Sequence, residues 1–438
     1  MALASNDTFE ETVKLIHENC INRFHPTLPV LVSGSTHLTF FDAKDGITQF
    51  SNWNERQCKL KGNVAICSIE WNVDGTKLAA AVADPNQLFV NDCGDESGEI
   101  IVWNYPTCDI LFQQKQFKVV HEIEWNQFRQ EVFATYNIGD PLVSLWTTKD
   151  LKRNLFYVFD FDRENRFREF IMKVKWISES EVALGLNNGT IEIYRISESH
   201  PVTAPQITRK LKHDRVVRDM KWSCTTQYLA SFSWDNTIKI WSVDNGLNGE
   251  LIHGLHVNSS CYIYSFAWRT NRKTYAEIDI ERESPENFIV ACGLRHEITR
   301  KKSSNGSTGP IVIWNPLERD ESKQQRILEK HKCSVSSLAF SPDGQFLASS
   351  DAIDVIIWST ETWMPVFVSQ YNKFTQDQLL KSRPLFNCRL SWMALGSTTA
   401  GGVNKLTYSS IDNKIHVFEC VGAETSRFKH KRAKRARN

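Results

Sequence analysis

One acidic run has residue types that could bind a metal ion: Asp92, Cys93, Gly94, Asp95 and Glu96 follow one another directly. Carboxylates suit Ca²⁺, but an EF-hand loop needs ligands at alternating positions and a closing glutamate, and this run lacks that spacing. The twelve histidines are scattered along the chain. We therefore interpret the run as a solvated turn and predict no metal site.

The sequence motifs of common catalytic sites are missing. There is no Gly-x-Gly-x-x-Gly, Gly-x-x-x-x-Gly-Lys-Ser/Thr, His-Glu-x-x-His or Gly-x-Ser-x-Gly pattern. The eleven cysteines are scattered and include no Cys-x-x-Cys pair, which is typical of reduced thiols in an intracellular protein. We predict that the chain is not an enzyme, has no catalytic residues and needs no cofactor.

The strongest local charge signal lies at the end of the chain. Residues 426–438 contain seven lysines and arginines and no acidic residue, although the net charge of the whole chain is only +1. A basic run outside the folded region is typical of a nuclear-import signal, and it could also contact nucleic acid without sequence preference. The residues assigned to the signal are Lys429, Lys431, Arg432, Lys434, Arg435 and Arg437.

The elements that precede this tail form a repeat. Eight short apolar runs end in an aromatic residue, and four of the intervals between these aromatics are 43 to 48 residues long. Four-stranded propeller blades repeat every ~40–45 residues, so the longer intervals indicate insertions. The run-ending aromatics are Phe41, Trp103, Trp146, Tyr194, Trp241, Trp314, Trp358 and Phe418.

Each unit has a second aromatic upstream, which precedes a turn and a strand of small residues. The segment 340–349, with Pro342, Asp343 and Gly344 in its turn, is the clearest copy. The alternation in 216–222 indicates half-buried strands rather than helices. The upstream aromatics are Phe24, Trp71, Trp125, Trp176, Trp222, Trp268, Phe340 and Trp392.

Four units carry Asp140, Asn188, Asp235 or Asp412 six residues before the run-ending aromatic. Together with the aromatics, this pattern resembles the WD40 repeat family. The resemblance implies an all-β, WD40-type β-propeller of eight blades, or of seven if the first unit is not a blade. We expect the propeller to span residues 1–422 and the basic tail residues 423–438.

The resemblance also implies a buried hydrogen-bonded set that ties a loop to its sheet. In the fifth unit this set consists of His213, Ser231 or Ser233, Asp235 and Trp241. The seventh unit offers a comparable set, in which either of two aspartates could stand at the turn. Its residues are His331, Ser349, Trp358 and one of Asp351 and Asp354.

Partner binding is predicted at four residues of the fifth and sixth units. Trp234 directly precedes the turn aspartate, a position that faces a docking rim in WD40 propellers, although its ring could instead pack on a neighbouring blade. Tyr262 and Tyr264 begin the sixth unit, and Arg295 lies in a basic insertion of that unit. Tryptophan supplies much binding energy when a partner buries it.

The middle and last units show a weaker resemblance to transducin-β-like corepressor subunits. It rests on a short turn after Trp176, an expanded turn after Trp268 and the segment 335–344. The implied function is a non-enzymatic scaffold of a nuclear multiprotein complex in transcriptional corepression or chromatin regulation. An RNA-processing or mRNA-export subunit and a ubiquitin-ligase substrate receptor stay open as alternatives. No membrane association is expected, since no apolar run is long enough to span a bilayer.

Deletion of residues 426–438 is expected to move the protein from the nucleus to the cytoplasm, because the proposed import signal is lost. The midpoint of thermal unfolding should not change, since the run lies outside the repeats. Fluorescence microscopy of a tagged chain measures the distribution, and a chain lacking residues 1–7 serves as the control truncation. Nuclear accumulation of the tail-deleted chain would reject the import signal.

Overall fold

In the residues that the computed structural model describes, eight antiparallel sheets of four strands each follow one another along the chain. The first strand of each sheet contacts the first strand of the next, and the last sheet contacts the first in the same way. The sheets therefore close into a ring. This is an all-β propeller of eight blades, so that prediction is confirmed and the first unit is a blade.

The described part of the chain covers all eight blades but leaves out several connections and both ends. It comprises residues 8–15, 21–43, 50, 53–58, 60, 64–84, 98–116, 118–149, 155–161, 168–196, 204–223, 226–243, 249–257, 261–269, 289–296, 309–351, 354–370, 390–393, 405–409 and 414–421.

Blades one to four are each built from four consecutive strands, counted from the inner strand outward. Blade one consists of β2 (Ile21–Phe24), β3 (Val30–Gly34), β4 (Leu38–Asp42) and β5 (Asn54–Cys58). Blade two consists of β6 (Ala65–Trp71), β7 (Lys77–Ala83), β8 (Gly98–Asn104) and β9 (Ile110–Gln116). Blade three consists of β10 (Glu122–Trp125), β11 (Val132–Tyr136), β12 (Leu142–Thr147) and β13 (Leu155–Asp160). Blade four consists of β14 (Ile171–Trp176), β15 (Glu181–Leu186), β16 (Thr190–Arg195) and β17 (Gln206–Lys212).

Blades five to seven repeat this order, whereas blade eight takes its outer strand from the start of the chain. Blade five consists of β18 (Val217–Ser223), β19 (Tyr228–Ser233), β20 (Thr237–Ser242) and β21 (Glu250–His256). Blade six consists of β22 (Cys261–Trp268), β23 (Val290–His296), β24 (Gly309–Trp314) and β25 (Gln325–His331). Blade seven consists of β26 (Ser337–Phe340), β27 (Phe346–Ser350), β28 (Asp354–Ser359) and β29 (Pro365–Gln370). Blade eight consists of β30 (Leu390–Trp392), β31 (Lys405–Ser409), β32 (Lys414–Val421) and β1 (Thr8–Leu15).

The apolar core is divided among the interfaces between neighbouring blades. Each apolar cluster of the described residues joins two adjacent blades, and the last one joins blade eight to blade one. The second strands lie in the middle of this packing, and every residue of β15 and β19 is buried. Small side chains such as Ala183 and Ala230 let both neighbouring blades approach closely. This packing explains the small-residue strand that follows each upstream aromatic.

Three of the upstream aromatics join the inner strands of adjacent blades through indole hydrogen bonds. The Trp125 indole donates a hydrogen bond to the Glu70 carbonyl at 3.0 Å, and the Trp176 indole donates to the Glu124 carbonyl at 3.2 Å. The Trp392 indole makes the equivalent bond to the Ala339 carbonyl at 3.0 Å. Each acceptor directly precedes the upstream aromatic of the preceding blade, so this marker of the sequence repeat forms a seam between blades.

Pairing between the two ends of the described chain closes the ring. β1 runs antiparallel to β32 over its whole length, from Thr8 opposite Val421 to Leu15 opposite Lys414. The sequence patterns did not identify this strand, because it belongs to a repeat whose other three strands lie at the far end of the chain. Without β1, β32 would present an unpaired edge.

Several predicted features lie outside the described residues. They are the acidic run 92–96, Asp412, most of the predicted insertions and the basic tail. Where the structure describes the chain, its helical content is one short 3-10 helix, Glu321–Lys323. None of the described helical structure is long and apolar enough to cross a membrane.

Removal of residues 1–15 is expected to destabilise the ring, whereas removal of residues 1–7 alone should not. The longer truncation deletes a ladder of eight paired residues, and each hydrogen bond contributes a net ~1 kcal/mol. Thermal unfolding should show a midpoint several degrees lower for the longer truncation only. Equal midpoints for the two truncations would contradict closure by β1.

Candidate partner-binding rim

The predicted contact residues of blades five and six lie at one end of the ring. Strand direction alternates within a blade, so the start of the inner strand and the turn between the second and third strands share that end. Blades five and six are adjacent there, because β22 contacts both β18 and β19. We call this end the rim, and we define the rim patch by Arg215, Arg218, Trp234, Tyr262 and Tyr264.

Trp234 lies in the turn between β19 and β20 with its indole partly open to solvent. The side chain is 41% exposed, and its backbone N–H donates to the Val216 carbonyl at 3.0 Å. The guanidinium carbon of Arg218 lies 5.1 Å from the centroid of the Trp234 ring. One face of the indole therefore carries a cation from the same blade, while much of the ring is available for another contact.

Recurring β-bulges determine which side chains reach the rim from the inner strands. In β18 the pairing register shifts between Val217 and Asp219, so Arg218 is the extra residue. In β22 it shifts between Ile263 and Ser265, so Tyr264 is the extra residue. A bulge aims its extra side chain away from the regular ladder. Arg218 and Tyr264 thus occupy equivalent positions on neighbouring inner strands.

The remaining predicted contact residues flank Tyr264. The Tyr264 side chain is 45% exposed, whereas Tyr262 is half-buried. Tyr262 stands opposite Arg295 in the ladder between β22 and β23, which places the Arg295 backbone at the same end of blade six. The prediction that Arg295 lies in an insertion is wrong, because β23 continues to His296. The Arg295 side chain lies outside the described residues.

A buried hydrogen-bonded set supports the turn that carries Trp234. His213 Nε2 lies 2.7 Å from Ser231 Oγ, and the Trp241 indole donates to the same oxygen at 2.8 Å. His213 Nδ1 lies 3.0 Å from Oδ2 of Asp235. Ser233 has a different contact, since its hydroxyl donates to the carbonyl of residue 215 at 2.9 Å. Of the two serines left open by the sequence, Ser231 is therefore the member of the set.

The Asp235 carboxylate organises the turn around Trp234. It accepts hydrogen bonds from the Thr237 N–H at 2.9 Å, the Thr237 hydroxyl at 2.6 Å and the Asp214 N–H at 2.9 Å. Burial alone would raise the pKa of the Asp235 carboxyl, but the hydrogen bonds from His213 and Thr237 outweigh burial and hold this pKa well below its usual range. The carboxylate is therefore a fixed acceptor at neutral pH.

The second set joins the end of blade six to blade seven, and the structure distinguishes its two candidate aspartates. His331 Nε2 lies 2.7 Å from Ser349 Oγ, to which the Trp358 indole donates at 2.8 Å. His331 Nδ1 lies 3.1 Å from Oδ2 of Asp351. Asp351 is thus the turn residue. Burial, together with the neighbouring Asp351 charge, raises the pKa of the Asp354 carboxyl.

Comparison with known proteins supports the repeat. The WD40 family model (WD domain, G-beta repeat) matches residues 205–242 and 322–359, the segments that contain the two hydrogen-bonded sets. The crystal structure of the C-terminal WD40 domain of Sif2 aligns with a TM-score of 0.61 at 15% identity, covering 94% of this chain and 99% of that chain. This chain is a β-propeller in which two segments match the WD40 repeat. Sqt1 of Saccharomyces cerevisiae has the same TM-score of 0.61 at 14% identity, with 95% and 99% of the two chains covered.

Three curated relatives share part of their sequence with this WD40 propeller. Protein HIR1 of Mycosarcoma maydis is 26% identical over 192 residues, which are 42% of this chain and 16% of that protein. Pre-mRNA-processing factor 17 of S. cerevisiae is 23% identical over 207 residues, which are 47% of this chain and 35% of that protein. The ribosome biogenesis protein WDR12 homolog of Nematostella vectensis is 25% identical over 152 residues, which are 34% of this chain and 29% of that protein. The propeller thus spans about a third or less of each relative's length.

The described part of the propeller contains no cysteine thiol of lowered pKa. Within it, no cluster of three or more histidine, cysteine or acidic residues could hold a metal ion. Burial raises the pKa of the Cys67 and Cys292 thiols to about 12, so these thiols are protonated and unreactive at neutral pH.

An open groove of about 810 Å³ lies on the outside of the propeller, along blade four. Its most buried carboxylate is that of Glu192, which accepts a hydrogen bond from the Tyr194 hydroxyl at 2.7 Å and pairs with Lys210 at 2.7 Å. These partners are internal, so Glu192 is not poised to act as an acid or a base.

Sequence patterns missed Arg215 and Arg218, which supply the positive charge of the rim patch. A positional signal exists for Arg218, because it precedes Trp222 by four residues and Tyr264 precedes Trp268 by the same number. Alignment of the units on their upstream aromatics would have placed Arg218 beside Tyr264. The bulge that exposes both side chains has no clear signature in the sequence.

Asp235→Asn should lower the free energy of unfolding at pH 7 by roughly 1–3 kcal/mol, since buried donors lose a charged acceptor. A carboxyl whose pKa is lowered by folding stabilises above its unfolded pKa of about 4, and this contribution is lost as the pH falls. The difference between parent and variant should therefore shrink from about pH 5 towards pH 2. Urea unfolding across pH measures it, with the exposed Asp109→Asn as control. A difference that is independent of pH would contradict this role.

Proposed function

We propose that this WD40 propeller is a non-catalytic scaffold of a nuclear multiprotein complex and that one partner docks on the rim patch. The observation that carries the proposal is the 41% exposed Trp234 on a turn held by the Asp235 hydrogen bonds. Exposed tryptophans on rigid elements are frequent hot spots of binding energy. The propeller fixes the position of the Trp234 side chain but buries only part of its surface.

Two properties favour a scaffold over an enzyme. Burial raises the pKa of the Cys67 thiol, and the buried Glu192 carboxylate accepts a hydrogen bond from Tyr194 and pairs with Lys210. WD40 propellers commonly present their loops and rims to other proteins, so surface contacts rather than a reactive group would carry the function. Fold alone does not determine function, and the rim patch is therefore the specific argument.

Within nuclear complexes, we favour transcriptional corepression or chromatin regulation. The support is the resemblance of the middle and last units to transducin-β-like corepressor subunits. The basic tail fits a nuclear location, because its lysines and arginines form a typical import signal. The eight blades are compatible with this class, although other WD40 proteins share them.

A subunit of an RNA-processing complex is the second candidate. Two of the three curated relatives are named as a pre-mRNA-processing factor and a ribosome biogenesis protein. Their similarity is confined to part of each chain and stays at 23% and 25% identity. The same propeller and tail would serve either role, so the identity of the partners has to decide.

Affinity purification from nuclear extract, with and without nuclease, distinguishes the two candidates. Corepressor and deacetylase proteins recovered equally in both conditions would support the chromatin role. RNA-processing factors whose recovery depends on intact RNA would support the second candidate. Mass spectrometry identifies the proteins, and recovery of neither class would contradict both assignments.

Trp234→Ala should remove one partner from the purified complex without changing thermal unfolding. Truncation of a hot-spot tryptophan costs at least ~2 kcal/mol of binding free energy, or roughly a thirtyfold loss of affinity. Met364→Ala is the matched control, because Met364 is 64% exposed and lies between β28 and β29, at the opposite end of the ring. If both variants retain every partner, docking on the rim patch is wrong.

A further inference from the structure

We propose that the rim patch binds an acidic segment of a protein partner, with carboxylates on the segment pairing with Arg215 and Arg218. This inference rests on the proposed function, since it specifies the chemistry of the partner at the same surface. The expected ligand is a short extended stretch rich in Asp and Glu that also carries an apolar side chain.

The first argument is that two guanidinium groups of the patch have no acidic partner. Arg215 is exposed and Arg218 is half-buried. Among the described residues, no carboxylate lies within ion-pair distance of either of them. Four other described arginines do have such partners: Arg23 pairs with Glu70, Arg129 with Glu131, and both Arg195 and Arg209 with Glu181.

The second argument is that nearby acids are already engaged inside the blades. The Asp235 carboxylate accepts hydrogen bonds from its own turn. The Asp219 carboxylate lies 3.7 Å from the Lys173 ammonium and 3.5 Å from the Lys221 ammonium. Asp214 is the exposed carboxylate beside the two arginines, whereas the charge of Asp235 is held inside the turn. The guanidinium groups of Arg215 and Arg218 would attract acidic side chains of a partner to this surface.

The third argument is that the Arg218 guanidinium is held in place before any partner arrives. Its central carbon lies 5.1 Å from the centroid of the Trp234 ring, and Trp234 lies in the turn organised by Asp235. A planar guanidinium held on an aromatic face can still donate in its own plane to a carboxylate. Little side-chain entropy is then lost when an acidic group binds.

The apolar part of the patch explains the second requirement for the ligand. Trp234 is 41% exposed beside Arg218, and Tyr264 is 45% exposed at the position of the next inner strand that is equivalent to Arg218. The exposed apolar surface of these two rings would stay uncovered if the ligand carried only acidic side chains. An aromatic or leucine side chain between acidic residues would cover these rings while its neighbours reach the arginines.

Single-stranded RNA is the competing ligand class, because arginines beside exposed aromatic rings also suit stacked bases. The rim patch is less suited to RNA. Sequence-independent binding relies on several phosphate contacts, while two arginines can neutralise only about two phosphates.

Selection from a random library of 12-residue peptides tests the proposal with the full-length chain as bait. We expect peptides enriched in Asp and Glu around an aromatic or leucine residue. Binding of the best peptide, followed by fluorescence anisotropy, should weaken at least tenfold in the Arg215→Gln/Arg218→Gln double variant and as the salt concentration rises. Replacing the acidic residues of the peptide by Asn and Gln should have a similar effect.

The control is the Arg319→Gln/Arg326→Gln double variant, which removes two exposed arginines at the opposite end of the ring and should change affinity less than twofold. Selected peptides without acidic enrichment, or no selection above the Trp234→Ala bait, would overturn the proposal. Tighter, Trp234-dependent binding of a 12-nucleotide uridine RNA would overturn it in favour of RNA. If Trp234→Ala still loses a nuclear partner, docking on the rim patch stands and only the acidic chemistry fails.

Discussion

Burial of both faces of every blade is the constraint on which the rest of this structure depends. The apolar clusters lie between neighbouring blades, and no blade completes its core alone. An open row of sheets would leave two apolar faces in water, so the ring has to close. Closure is achieved by β1, which adds the outer strand to blade eight through its pairing with β32. The stability of every interface is thereby linked to a strand from the other end of the chain.

This constraint separates the residues that build the ring from those that remain available at its rim. Second strands are buried on both sides, and the indoles of residues such as Trp125 and Trp176 join adjacent inner strands. Turns at the rim do not have to fill the interface between two blades. In blade five the turn is nevertheless rigid, because His213 and Asp235 tie it to the sheet. Rigidity of the backbone and exposure of Trp234 therefore occur together.

The repeat pattern was sufficient to predict the all-β propeller of eight blades, because the pattern depends on residue types at fixed spacings. The hydrogen-bonded set followed from the family resemblance, which left Ser231 and Ser233 open. Ring closure by β1 could not be predicted, since its partner strand is remote in sequence. Asp351 could not be chosen over Asp354 from a turn that is one residue short, whereas its carboxylate beside His331 distinguishes it. Arg218 escaped notice because exposure depends on a bulge, which follows from three-dimensional packing rather than from composition.

The bulges show how one backbone device serves both the core and the surface. In β6 and β14 the register also shifts at the inner strand, and the extra residues there are Cys67 and Met172, exposed by only 8% and 7%. In β18 and β22 the equivalent residues are Arg218 and the 45% exposed Tyr264. The backbone feature is common to these blades, so it belongs to the fold. The side chains placed on it differ between blades, and it is this difference that gives blades five and six a charged and aromatic surface on which a partner can be recognised.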